Sequence, residues 1–218
     1  MSQLKEFTAS AARPLPVILL ADISGSMSIE GKIDALNQAI REMLVTFSIS
    51  DDLRAEIHVG IITFGGEARI HVPLQPASSV KWTDLAANGG TPMGQAMTMA
   101  ADLIEDREQI PGRAYRPTVV LISDGQPTDP WQAGLERISK QGRAQKAERL
   151  SLAIGGDADV TMLKRFLADE KKQVFVAADS RRIKEFFQFV TMSVTARGRS
   201  ANPNEVPQMQ DPFNLDRL

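Results

Sequence analysis

The chain has 218 residues, enough for one domain with a substantial core and short extensions at either end, and a second domain is not expected. With 25 Lys plus Arg against 27 Asp plus Glu, the formal net charge of −2 offers no basic surplus for nucleic acid or an anionic membrane. Cysteine is absent, which removes disulfides and thiolate metal sites and fits a reducing cytoplasm.

Residues 1–14 are small and polar, lack the apolar core of a signal peptide and read as a flexible lead. No apolar run reaches the roughly 20 residues that a membrane helix needs, so a soluble, cytoplasmic protein is expected. Residues 15–21, LPVILLA, are a continuous apolar run that stops at Asp22, followed by Ser24, Gly25 and Ser26. That pattern predicts a buried strand and a tight, oxygen-rich turn. Apolar residues at Ile29, Ile33, Leu36, Ile40, Met43, Leu44 and Phe47 then predict a helix over 29–47 with one buried face.

Residues 55–64 are rich in β-branched side chains, and Gly65-Gly66 turns the chain into a second strand at 68–72. So short a connection makes this pair antiparallel, with the later strand at a sheet edge. Residues 73–90 carry two prolines, two serines and Asn88-Gly89-Gly90, and read as a long loop of the kind that often has a function. Thr91-Pro92 resembles a helix start, with Thr91 as cap and Pro92 at the first helical position, and Met93, Ala96, Met97, Ala100, Leu103 and Ile104 supply the apolar face.

Residues 118–123 form an apolar run suited to a strand buried on both sides, ending at Asp124-Gly125. Helices over 129–143, 159–168 and 180–194 alternate with strands over 149–154 and 174–177. The alternation predicts a doubly wound α/β domain, a mostly parallel six-stranded sheet with one antiparallel edge strand and helices on both faces. The domain is expected over 15–196, followed by a polar tail at 197–218 containing Pro203, Pro207 and Pro212.

Asp22, Ser24 and Ser26 place one carboxylate and two hydroxyls within five residues, hard oxygen donors that suit Mg²⁺. Asp22-Ile-Ser-Gly-Ser after an apolar strand resembles the D-x-S-x-S signature that opens the metal-ion-dependent adhesion site of the von Willebrand factor A domain. The resemblance implies two further site elements, a Thr on a later loop and an Asp at the end of a later strand, which Thr91 and Asp124 match. It implies that Ser24, Ser26 and Thr91 contact Mg²⁺ through their hydroxyls, with Asp22 and Asp124 bound directly or through water, and with Mn²⁺ or Ca²⁺ as substitutes. An open position on the ion would then take an Asp or Glu from a protein partner, which is docking and not catalysis. Strand ends are where ligands gather in open α/β sheets, and Asp22 and Asp124 both stand at such ends.

The segment 16–27, PVILLADISGSM, is also similar to the bacterial tellurite-resistance-associated group of this family. That likeness implies a chemical stress-response setting and, as candidate partners, a PP2C-type phosphatase or a protein kinase. Two rival readings stand beside the docking module. One is a scaffold whose metal site is vestigial. The other is a haloacid-dehalogenase-like phosphatase with Asp22 as nucleophile, although such chemistry wants an acid two residues later, where Ser24 stands.

Other polar residues have plainer explanations. Asp129 is expected to cap the helix that follows it, and Asp157 and Asp159 to form a loop and a cap and not a second metal cluster. His58 and His71 have no paired ligand, and the nine methionines fill core space. Trp82 and Trp131 are either exposed anchors near the metal edge or packed aromatics. Lys171, Lys172, Arg181 and Arg182 are expected to be solvated.

Overall fold

The computed structural model describes residues 12–50 and 54–205. Its strands are β1 (Arg13–Asp22), β2 (Ala55–Gly65), β3 (Glu67–Pro76), β4 (Thr118–Ser123), β5 (Glu148–Ile154) and β6 (Phe175–Ala177). The helices are α1 (Lys32–Ser48), α2 (Met93–Glu105), α3 (Trp131–Lys140), α4 (Val160–Leu167) and α5 (Ser180–Arg199). The strands form one six-stranded sheet in the order β3-β2-β1-β4-β5-β6, and only β3 runs antiparallel to its neighbour.

β1 shows why the sheet is two-sided. Leu15, Val17, Leu19 and Ala21 face one core and Ile18 and Leu20 the other, all with no solvent exposure. This period-2 split is the geometry of a central strand covered on both faces. On the first face, α1 contributes Leu36, Ile40, Met43 and Phe47, and α5 contributes Ile183, Phe186, Phe187 and Val190. On the second face lie Met93, Met97 and Ile104 of α2, Ile138 of α3, and Leu163 and Phe166 of α4. Each such side chain stabilises the fold by about 1.5–3 kcal/mol through the apolar surface it removes from water.

Several boundaries differ from the sequence expectations. β1 includes Arg13 and Pro14. The Pro14 carbonyl accepts from Tyr115 N at 2.8 Å, and the Arg13 guanidinium lies 4.1 Å from the Tyr115 ring centre. Residues 1–11 of the expected lead lie outside the described residues. The helix expected from residue 29 begins at Lys32, because Glu30 (φ 57°) and Gly31 (φ 68°) take left-handed backbone angles that break the turn Gly25–Gly31 from α1. Ile29 is accordingly 57% exposed.

The expected loop at 73–90 is shorter, since β3 continues to Pro76 and a single 3₁₀ turn, Ala77–Ser79, follows. At the other end, α5 runs to Arg199. Its Arg197 is 1% exposed and donates to Pro203 O at 2.9 Å, Thr118 Oγ1 at 2.6 Å and Arg116 O at 2.6 Å. Burial pushes this guanidinium down to about 10. Residues 206–218 of the expected tail lie outside the described residues. Among those described, no helix is long and apolar enough to cross a membrane.

Candidate metal centre

The order of strands fixes where a site can form. From β1 the chain moves through α1 to β2 on one side, and from β3 it returns through α2 to β4 on the other. The carboxyl ends of β1 and β4 therefore lie at the point where neighbouring connections diverge, the usual ligand crevice of such sheets. Ala21 pairs with Ile122, so Asp22 and Ser123 come next to each other, with Asp124 one residue beyond.

Three loops meet there and are held together by their backbones. Gly25 N donates to Gly89 O at 2.9 Å, Asn88 N to Ile23 O at 2.6 Å, and Gly66 N to Gly90 O at 2.9 Å. Gly89 has φ 76°, and a Cβ on it would lie 2.5 Å from Gly66 N, so a side chain there would force the loops apart. Thr91 is pinned from a fourth loop, the one after β4. Its N–H donates to Thr128 Oγ1 at 2.9 Å, and its carbonyl accepts from Thr128 N at 2.9 Å.

All five residues singled out from the sequence converge on this edge. Asp22 (0% exposed) accepts from Ser24 N at 2.8 Å on one oxygen and from Ser123 Oγ at 2.6 Å on the other. Ser24 and Ser26 hydroxyls lie 3.1 Å apart, and Ser26 Oγ donates to Asp124 Oδ1 at 2.7 Å. Thr91 and Asp124 are both buried. A Cβ placed on Gly125 would sit 3.7 Å from Thr91 Oγ1 and 3.9 Å from Ser26 Oγ, so the missing side chain leaves space beside both hydroxyls.

Burial is the largest influence on Asp22 and raises its carboxyl from the ordinary 3.8 to about 6. Hydrogen bonds from Ser123 and Ser24 pull the other way, and Asp124 adds a small further rise. A buried carboxylate in this state gains from a nearby cation. The donor set fits a hard divalent ion, being two carboxylates and three hydroxyls in one cradle with a glycine left bare beside it. Among the described residues, no group of three or more His, Cys, Asp or Glu is placed to hold a metal, so any ion here depends on the hydroxyls.

Other assignments change. Asp129 does not cap the helix after it. Its carboxylate accepts from Gly94 N and Gln95 N, each at 2.9 Å, and so caps α2, because the loop from β4 folds across the start of that helix. Thr91 does not cap α2 with its side chain, which leaves the hydroxyl to the site. Asp159 does cap α4, accepting from Met162 N at 2.9 Å, while Asp157 is exposed.

Both tryptophans are half-buried and packed on core residues. Trp82 donates to Asp84 at 2.7 Å, and the Arg165 guanidinium lies 4.9 Å from the Trp131 ring centre. His58 pairs with Glu56 and His71 with Thr83 O. Lys172 is not simply solvated, since it pairs with the buried Glu148.

Two residues at the site had not been singled out. Ser123 holds the second Asp22 oxygen, and aligning the ends of the two strands would have placed it there. Lys32 donates to Asp124 Oδ2 at 2.9 Å, with side chains 14% and 0% exposed. Its signal was a lone cation directly after the turn.

Comparison with known proteins bears on the family and the fold. Residues 17–189 match the von Willebrand factor type A domain. The chain belongs to that family. Among curated relatives, Inter-alpha-trypsin inhibitor heavy chain H6 of Homo sapiens is 26% identical over 85% of this chain and 16% of its own length. An uncharacterised protein of Mycobacterium tuberculosis is 30% identical over 58% of this chain and 20% of its own length. The chain thus spans a fifth or less of the curated relatives it matches.

The von Willebrand factor A domain shares its fold with solved structures of low identity. A von Willebrand factor type A protein from Catenulispora acidiphila has a TM-score of 0.64 and 20% identity, over 83% of this chain and 42% of that one. Proximal thread matrix protein 1 from the mussel byssus, solved with a zinc-occupied MIDAS motif, has a TM-score of 0.66 and 16% identity over 84% of this chain and 48% of that one. BatB from Bacteroides thetaiotaomicron has a TM-score of 0.55 and 19% identity over 84% of this chain and 99% of that one.

Proposed function

We infer that this domain is a metal-dependent docking module in which Asp22, Ser24, Ser26, Thr91 and Asp124 hold Mg²⁺ and present it to an Asp or Glu of a protein partner. The observation that carries this reading is the convergence of three hydroxyls and two carboxylates from three backbone-locked loops, beside a glycine that leaves space at the hydroxyls. Family membership supports it, as A-type domains generally serve as interaction modules, and the zinc-occupied motif of the mussel protein supports a divalent ion. When bound, the ion would supply a coordination position for an incoming carboxylate. The chain's own part is to aim Asp22 and Asp124, to hold Ser24, Ser26 and Thr91 at fixed spacing, and to spend little order on binding, because the loops are already locked.

The resemblance of residues 16–27 adds a setting to this proposal, a bacterial tellurite or chemical stress response in the cytoplasm, with a PP2C-type phosphatase or protein kinase as partner. The rival with an observation in its favour is a scaffold with a vestigial site, since Lys32 already pairs with Asp124. Capture of candidate partners on the immobilised chain, in Mg²⁺ and in EDTA, separates the two. Docking through the ion is expected to be lost in EDTA and in Thr91→Ala, whose far-UV spectrum and melting temperature stay near wild type. Capture that survives both conditions would assign binding to another surface.

A further inference from the structure

Lys32 is the first residue of α1, where a positive charge meets the positive end of the helix dipole. The local helix disfavours a cation at that position. The side chain nevertheless turns back to the strand ends and places Nζ 2.9 Å from Asp124 Oδ2, while Ser26 occupies Asp124 Oδ1. The path runs close over Gly155. A Cβ on Gly155 would lie 3.6 Å from Lys32 Nζ and 3.7 Å from its Cε. Asp22 and Asp124 at one buried edge, with Lys32 as the cation between α1 and β4, give a cluster with two acidic groups and one basic group.

We propose that Lys32 is the resident counter-ion of the metal centre, neutralising Asp124 when no divalent ion is bound and holding metal affinity down. The proposal rests on the metal-docking reading given above. Without Lys32 the buried Asp124 would have a hydroxyl partner but no cation, which would favour the ion strongly and weaken the metal-free fold. With Lys32, the loaded site carries one positive charge beyond neutrality, which favours a carboxylate in the open position. Lys32 is a positioning and tuning residue in this scheme and not a ligand.

The test is calorimetric titration of the full chain with Mg²⁺ and Mn²⁺ for wild type, Lys32→Met and Lys32→Arg, with melting temperatures in EDTA and in Mg²⁺. Loss of a nearby unit charge is expected to tighten metal binding at least about tenfold in Lys32→Met. The Mg²⁺-induced rise in melting temperature should grow in the same variant, and Lys32→Arg should stay near wild type. Paramagnetic broadening of acetate by the Mn²⁺-loaded protein should be weaker for Lys32→Met. If wild type and Lys32→Met bind metal equally, the counter-ion role is overturned and the metal site stands. If neither binds, the metal reading and this inference fall together. Should Lys32→Met not fold, Lys32→Gln repeats the comparison.

Discussion

Asp22 carries the sharpest residue-scale expectation. Its carboxyl is raised from 3.8 to about 6, mainly by burial. The folded, metal-free protein therefore holds a proton that the unfolded chain has released between about pH 4 and 6. Stability in EDTA should fall as pH rises through that window and level off above it, by on the order of 3 kcal/mol. Mg²⁺ affinity should move the opposite way, strengthening as Asp22 ionises, because a ligand oxygen must lose its proton. Urea denaturation from pH 4 to 7 checks the first, and Asp22→Asn should flatten the slope. A slope unchanged in that variant would assign the effect to another group. The serines and Asp22 were legible in the sequence because their spacing of two is local. Ser123 and Lys32 were not, because their roles depend on strand register and on the path of a long side chain across the top of the sheet.

At the scale of elements, loop docking sets the quality of the site. Asn37 of α1 is buried and grips the loop at 80–92 through Leu85, donating to its carbonyl at 3.0 Å and accepting from its N–H at 2.8 Å. Asn37→Ala strands both backbone groups and should cost about 1–3 kcal/mol. Amide exchange should quicken around residues 80–90 before it does in β1. Uniform exchange across the molecule would contradict a local latch. Strands and helices with long apolar periods were read correctly from residues alone, as β4 and α2 show. The turn before α1 was not, because left-handed angles at Glu30 and Gly31 interrupt an apolar spacing that suits a longer helix. The capping of α2 by Asp129 was hidden for a different reason, being a contact across 34 and 35 residues of sequence.

At the scale of the whole molecule, the fold holds the site by burying β1 on both faces and placing its end beside that of β4. Leu19→Ala, at a fully buried central position, should cost about 2–5 kcal/mol by leaving a cavity and unfold the domain at lower urea, while Mg²⁺ affinity of the folded fraction stays unchanged. A matching loss of affinity would show that core and site are coupled more tightly than their separation into sheet and loops implies. The fold class was legible because alternating strands and helices admit few topologies. The shared edge of Asp22 and Asp124 was legible from their places at strand ends, while Thr91 as a ligand beside them was legible only through resemblance. The most direct measurement is a crystal of the chain soaked in Mn²⁺, with anomalous scattering recorded at the manganese edge. The expected result is one peak at the carboxyl ends of β1 and β4, bounded by Ser24, Ser26 and Thr91, with Asp22 and Asp124 in direct or water-bridged contact. No peak at that edge, or a peak only at Asp157 and Asp159, would contradict the proposed metal centre.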